Sequence, residues 1–353
     1  MNHDEYINQL ADVVLKEGAS DLHLVPSYRP TIRVSGLLVP LMKFDVLTPE
    51  DTKGLLYAML HDEHQKLFEK NLEVDYSWSY RDQARFRGNG YFTKGNAAVA
   101  MRFIPNKIQT LEELGLPETL KHFASMPQGF FLVVGPVGHG KSTTLASMVE
   151  IINQTRSDHI VTIEDPIEFI YKPDRGMIDQ REIRLDTKNF QTALTYALRQ
   201  DVDVILIGEM RNAETMAAAV TAAETGHLVF STLHTNNAAQ TIDRIIDSFP
   251  ANQQDQIRVQ LAGSLLGVFS QRLIPRVSGG LIPAYELLIN NNAVANLIRE
   301  RRTHEINAVI ETGLESGMVD MNRSLAGLVR AGEITVDDAH KYSLNPKVLE
   351  KML

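Results

Sequence analysis

The sequence predicts an α/β protein in two parts: a small α+β module, then a core on a mostly parallel sheet that ends in all-helical elements. Three observations carry this. From about residue 126, apolar runs at 130–134, 159–163, 204–207 and 228–232 alternate with helix-compatible stretches at 142–153, 187–199 and 214–225, as in parallel strands covered on both faces. Before them, strand-like runs at 74–80, 84–92 and 97–103 are separated by polar or Gly-containing breaks such as Arg81-Asp82-Gln83 and Lys94-Gly95-Asn96, which suits an antiparallel sheet. The third observation is length, since 353 residues exceed what one hydrophobic core usually organises.

The elements of the first part follow from local chemistry. Tyr6, Ile7, Leu10, Val13 and Val14 recur at helical spacing and stop near Gly18, a C-cap residue. Strands are expected at 21–25 and 31–34, followed by a turn at Ser35-Gly36. Thr48-Pro49-Glu50-Asp51 supplies an N-cap hydroxyl, a first-turn proline and acids at the positive helix end, and opens one amphipathic helix through Leu55, Leu56, Met59, Leu60 and Leu67. In the 84–92 strand, alternation puts Arg85 and Arg87 on one face and Phe86 on the other, and Arg102 lies near the end of the next strand. Ile104-Pro105-Asn106-Lys107 reads as the start of a linker because proline cannot continue a ladder. The expected domains are therefore 1–105 and 117–353, joined by 106–116. Within the second, everything from about 251 reads as helical, with helices at 253–273, 292–299, 304–311, 318–331 and 336–342.

Composition narrows the chemistry. With 35 basic against 44 acidic residues the formal charge is −9, which argues against a general nucleic-acid binder. The chain has no cysteine, so disulfides, thiolate zinc sites and cysteine nucleophiles are excluded. A polar N-terminus, and no uninterrupted apolar stretch of the ~18 residues a spanning helix needs, point to a cytoplasmic protein that can still dock on a membrane complex.

One stretch dominates the second domain. Gly135-Pro136-Val137-Gly138-His139-Gly140-Lys141-Ser142, with Thr143 next, lies between an apolar strand and a helix. Backbone N–H groups there can curl around phosphate oxygens, and bulky side chains would block the approach. Lys141 offers a point charge to the β- and γ-phosphates, Ser142 a hydroxyl to Mg²⁺, and the helix N-terminus its partial positive charge. This proposes a nucleoside triphosphate site. In open parallel sheets ligands gather at the carboxyl ends of strands. Three further strand ends carry suitable groups: Glu164 with Glu168, Glu209, and His234. A carboxylate there can hold Mg²⁺, directly or through water, or orient the attacking water, the role assigned to Glu209. His227 and His234 flank one strand and are assigned to donate to the γ-phosphate or report its presence.

These residues together carry a resemblance. The run 135–142, then Thr162-Ile163-Glu164-Asp165-Pro166-Ile167-Glu168-Phe169, Gln180-Arg181-Glu182, Ala197-Leu198-Arg199-Gln200, Ile207-Gly208-Glu209-Met210-Arg211, and the segments Ala222-Ala223-Glu224-Thr225-Gly226-His227 and Thr232-Leu233-His234-Thr235, closely resemble the secretion ATPase superfamily. Within it the likeness is to PilT-like type IV pilus retraction ATPases, whose Walker A, Asp box, atypical Walker B and His box these segments match. Asn296-Leu297-Ile298-Arg299-Glu300 and Gly317-Met318 also look like the retraction-motor pattern.

The resemblance implies a PAS-like N-terminal domain, a RecA-like P-loop ATPase core, a homohexameric ring, and ATP with Mg²⁺ as ligands. It implies pilus retraction as the function, with an inner-membrane pilus platform protein, pilin indirectly, and an accessory retraction ATPase as partners. Carried over by position, Arg87 and Arg102 would help neutralise γ-phosphate charge when the domains close on ATP, as an arginine finger does. Two departures stand out: His139 occupies a place where the family commonly has a small hydroxyl residue, and Asn212 one where aspartate is usual. Three alternatives remain within or beyond the family. They are an accessory PilU-like motor, an extension or type II secretion ATPase (typically bearing a tetracysteine zinc element this chain cannot form), and an assembly protein that binds ATP without hydrolysing it. The acidic balance disfavours a nucleic-acid translocase.

Overall fold

The computed structural model describes residues 2–34, 36–81, 83–105 and 107–353; the expected turn residue Ser35, the break at Asp82 and the linker residue Asn106 lie outside the described residues. The chain divides into two compact units, Met1–Lys107 with Asp165–Ile170, and Ile108–Glu164 with Tyr171–Leu353.

The first unit runs α1 (His3–Glu17), β1 (Asp21–Leu24), β2 (Thr31–Val34), β3 (Leu37–Pro40), α2 (Pro49–Met59), α3 (Asp62–Asn71), β4 (Glu73–Tyr80), β5 (Ala84–Thr93) and β6 (Asn96–Pro105). Its strands form one antiparallel sheet in the order β3-β2-β1-β6-β5-β4. The caps follow the sequence. Gly18 adopts φ 60° at the end of α1, and at α2 the Thr48 hydroxyl accepts from Asp51 N–H while the Asp51 carboxylate accepts from Thr48 N–H. The single helix expected through Leu67 is instead two, because Leu60 turns to an extended backbone and is buried. Gln65 Nε2 then donates to the carbonyls of Tyr57 and Leu60 that the break releases. In β5, Phe86 is fully buried, while Arg87, exposed, and the half-buried Arg85 lie on the opposite face.

The second unit contains α4 (Thr119–Ala124), β7 (Gly129–Val134), α5 (Lys141–Thr155), β8 (His159–Glu164), β9 (Met177–Glu182), α6 (Phe190–Ala197), β10 (Val204–Ile207), α7 (Ala213–Glu224), β11 (Leu228–Leu233), α8 (Ala238–Asp247) and α9 (Ala251–Ser264). It continues with β12 (Leu265–Pro275), β13 (Leu281–Ile289), α10 (Asn292–Arg299), α11 (Ile306–Thr312), α12 (Met321–Arg330), α13 (Val336–Tyr342) and α14 (Pro346–Glu350). The strand order is β13-β12-β7-β11-β10-β8-β9, parallel except for the β12/β13 pair. The central strands β7, β10 and β11 are buried throughout, which is why they read as continuous apolar runs.

The C-terminal stretch corrects the sequence expectation. It is not all helical: the helix expected over 253–273 ends at Ser264, and β12 and β13 extend the sheet. Leu265-Leu266-Gly267-Val268-Phe269 is apolar at every position, so periodicity alone cannot tell a buried strand from a buried helix. Gly267 decides the packing, since a Cβ there would come within 2.5 Å of the Leu288 carbonyl oxygen on β13. No helix among the described residues is long and apolar enough to cross a membrane.

Candidate nucleotide site

The 135–142 loop joins the carboxyl end of β7 to α5, as the sequence predicts. Gly138 and Gly140 adopt φ 78° and 79°, backbone that a side chain would strain, and Gly140 caps α5 without any side-chain hydrogen bond. The first N–H groups of α5 therefore have no side-chain cap, and the helix end is suited to an anion. Lys141 is only 7 % exposed. Its ammonium donates to the carbonyls of Gly135 (2.9 Å) and Pro136 (2.8 Å) and lies 3.2 Å from His234 Nδ1.

That last contact fixes the imidazole. A lysine ammonium has only donors, so His234 Nδ1 accepts and Nε2 carries the proton. Nε2 faces Glu209 Oε2 at 3.4 Å, and Glu209 also pairs with Arg211. Lys141, His234 and Glu209 thus form one chain of contacts across the carboxyl ends of β7, β11 and β10, neighbours in the sheet. Glu164, at the end of β8, accepts from the Thr162 hydroxyl at 2.7 Å. Ser142 is exposed at the start of α5, where its hydroxyl is available to a cation held by phosphate.

His139 turns out to be a fastener. Its Nδ1 accepts from Leu273 N–H on β12 at 2.8 Å, its carbonyl accepts from Gln271 Nε2 at 2.9 Å, and its ring sits edge-on to Tyr342 of α13. Burial, reinforced by Arg272 and Lys141, pushes its pKa below the ordinary histidine value, which keeps Nδ1 free to accept. Asn212, the other departure, caps α7 by accepting from Thr215 N–H, a role asparagine fills as well as aspartate.

Other expected site residues lie elsewhere. His227 sits at the opposite end of β11 from His234, more than about 20 Å away along the strand at ~3.3 Å per residue. Its Nδ1 is 2.9 Å from the Ala222 carbonyl, so the structure does not bring it to the phosphate loop of its own chain. In the first unit, Arg87 pairs with Glu168 at 3.2 Å, Arg102 pairs with Asp21 at 3.1 Å, and Arg85 donates to the Ile167 carbonyl.

The sequence reading missed a cavity of about 280 Å³ beside Gly140 and Thr143, lined by Gln109, Leu116, Gln271 and Leu273 among others. It also missed Gln271 and Arg272 themselves. The signal available was three polar residues, Ser270-Gln271-Arg272, inside an apolar run next to the loop, which a strand reading would have placed at a sheet end.

A glycine-rich loop at the end of an interior strand of a mostly parallel sheet, feeding a helix without a side-chain cap and with a buried lysine, defines a P-loop nucleoside triphosphatase. The chain belongs to the family of type II/IV secretion system proteins, whose model matches residues 3–317. It is 44 % identical to the type IV pilus retraction ATPase PilT of Pseudomonas aeruginosa, over 97 % of this chain and 99 % of that one. It is 45 % identical to a twitching motility protein of Neisseria gonorrhoeae, over 90 % of this chain and 84 % of that one. A solved structure of the pilus retraction motor PilT with bound ADP superposes with a TM-score of 0.91 at 46 % identity, covering 98 % and 99 % of the two chains.

Proposed function

We propose that this protein is an ATP-hydrolysing motor that drives type IV pilus retraction. The observation that carries the reading is the contact chain from Lys141 through His234 to Glu209, in a chain similar over nearly its whole length to a pilus retraction ATPase. Lys141 would exchange its loop carbonyls for the β- and γ-phosphate oxygens of ATP. Glu209, held by Arg211, would orient the attacking water. His234, relieved of Lys141, would meet the γ-phosphate and pass its presence or loss to the segment leading into α8. The base would occupy the cavity beside Gly140 and Thr143. Ser142, with Glu164 or Glu209 through water, would hold Mg²⁺, which when bound neutralises phosphate charge.

The first unit, in this reading, is a PAS-like domain that closes on a RecA-like core within a homohexamer. Arg87 and Arg102 already pair with carboxylates, and on closure they would exchange Glu168 and Asp21 for the γ-phosphate. Loss of that charge on hydrolysis would reopen the domain. The ring would dock peripherally on an inner-membrane platform protein and act on pilin through it. Deletion of the gene in its native host tests the assignment: surface pili should accumulate and fail to retract, whereas absence of pili would make the protein an extension motor.

A further inference from the structure

Strand β12 reaches the loop with three consecutive buried polar residues, Ser270, Gln271 and Arg272, at 0 %, 3 % and 5 % exposure. Buried polar groups cost free energy unless they are hydrogen-bonded, so their partners reveal what they serve. Gln271 serves the phosphate loop. Its Nε2 donates to the His139 carbonyl at 2.9 Å, and its Oε1 accepts from the Thr144 hydroxyl at 2.7 Å. Arg272 serves the other side. Its Nη2 donates to both the backbone carbonyl (2.9 Å) and Oδ1 (3.0 Å) of Asn236, two residues beyond His234, and the Ser270 hydroxyl donates to the same carbonyl at 3.0 Å.

The sheet order explains how one strand reaches both. β7 lies between β12 and β11, so Arg272 must cross the end of β7 to touch the segment that follows β11. The crossing runs beneath Gly135. A Cβ at that position would meet the Gln271 carbonyl oxygen at 2.4 Å and Arg272 Nη1 at 3.3 Å. Glycine is therefore needed at the start of the loop for this crossing as well as for phosphate approach. A buried guanidinium held by neutral oxygens is costly, and Glu286 on β13 offsets part of that cost through space when it is ionised. Its placement between the two halves of the site is what the cost maintains.

We infer that Gln271 and Arg272 are positioning residues that set the distance between the phosphate loop and the His234 segment, Gln271 fixing the loop and Arg272 the segment. This rests on the reading of the site as one for ATP hydrolysis. The two residues then affect different constants. Arg272→Gln should lower kcat for phosphate release by about tenfold and leave the affinity for a fluorescent ADP analogue within about threefold. Gln271→Met should do the reverse, weakening the analogue by about tenfold with kcat at saturation within about threefold.

Asn236→Ala, a surface change that does not threaten folding, should reproduce part of the kcat loss, and the Arg272→Gln/Asn236→Ala double variant should lose no more than Arg272→Gln alone. Arg272→Lys should fall between wild type and Arg272→Gln. Equal damage to kcat and affinity in both single variants, or full additivity in the double variant, would overturn the inference. His234→Ala, measured alongside, separates the two levels: normal turnover there would sink the site reading, whereas slow turnover there with normal Arg272→Gln and Asn236→Ala would sink only the positioning role.

Discussion

The two sheets of this protein handle charge in opposite ways. On the antiparallel sheet of the first unit, Arg87 and Arg102 stand on an exposed surface in ion pairs with single carboxylates, and Arg102 keeps 68 % of its side chain in solvent. At the carboxyl ends of the parallel sheet, Lys141, Gln271, Arg272 and Glu286 are buried, and each is satisfied by specific oxygens or N–H groups. The difference teaches where precision is built in. An exposed arginine can change partners at little cost, whereas a buried network holds one geometry.

The buried side predicts the larger effect on stability. Glu286 accepts from Ala238 N–H at 2.8 Å, and burial, with Asp320 nearby, raises its pKa to about 7 against the lowering influence of that hydrogen bond and of Arg272. The folded state therefore retains a proton that the unfolded chain has lost. This contribution is fully present below the ordinary carboxylate pKa and is lost as pH rises through about 7. Wild-type stability from denaturant unfolding should fall between pH 5 and 8 by on the order of 3 kcal/mol more than that of Glu286→Gln, which keeps the acceptor but cannot ionise. Equal slopes for the two proteins would break the contrast.

The exposed side predicts the smaller effect. Arg102→Ala should cost less than about 1 kcal/mol of stability, and less still in high salt. Turnover lost with stability retained would sharpen the comparison by marking Arg102 as a group that acts on the nucleotide. A large loss of stability would contradict its description as an exchangeable surface cation.

The phosphate loop was legible in the sequence because most of the residues that shape it do local jobs: glycines for positive φ, Lys141 for charge, a helix start for the anion. Glu209 and His234 were legible by a positional rule, since each follows an apolar strand. That rule has a direction that His227 does not meet, since it precedes its strand. His227 and His234 flank the same strand, and a strand separates what it flanks. The β12 and β13 strands were hidden because a fully buried strand has no period to distinguish it from a helix, and Gln271 and Arg272 were hidden with them. His139, a departure when seen as one letter in a loop, makes sense only against Leu273 N–H, a partner 134 residues away in sequence.

The central claim, that the strand-end groups of the second unit perform ATP hydrolysis, is tested most directly at Glu209, which touches the site through His234 without belonging to the phosphate loop. In Glu209→Ala, steady-state phosphate release should fall by about a hundredfold or more while nucleotide affinity stays within about threefold of wild type. Phosphate release at the wild-type rate would contradict the account.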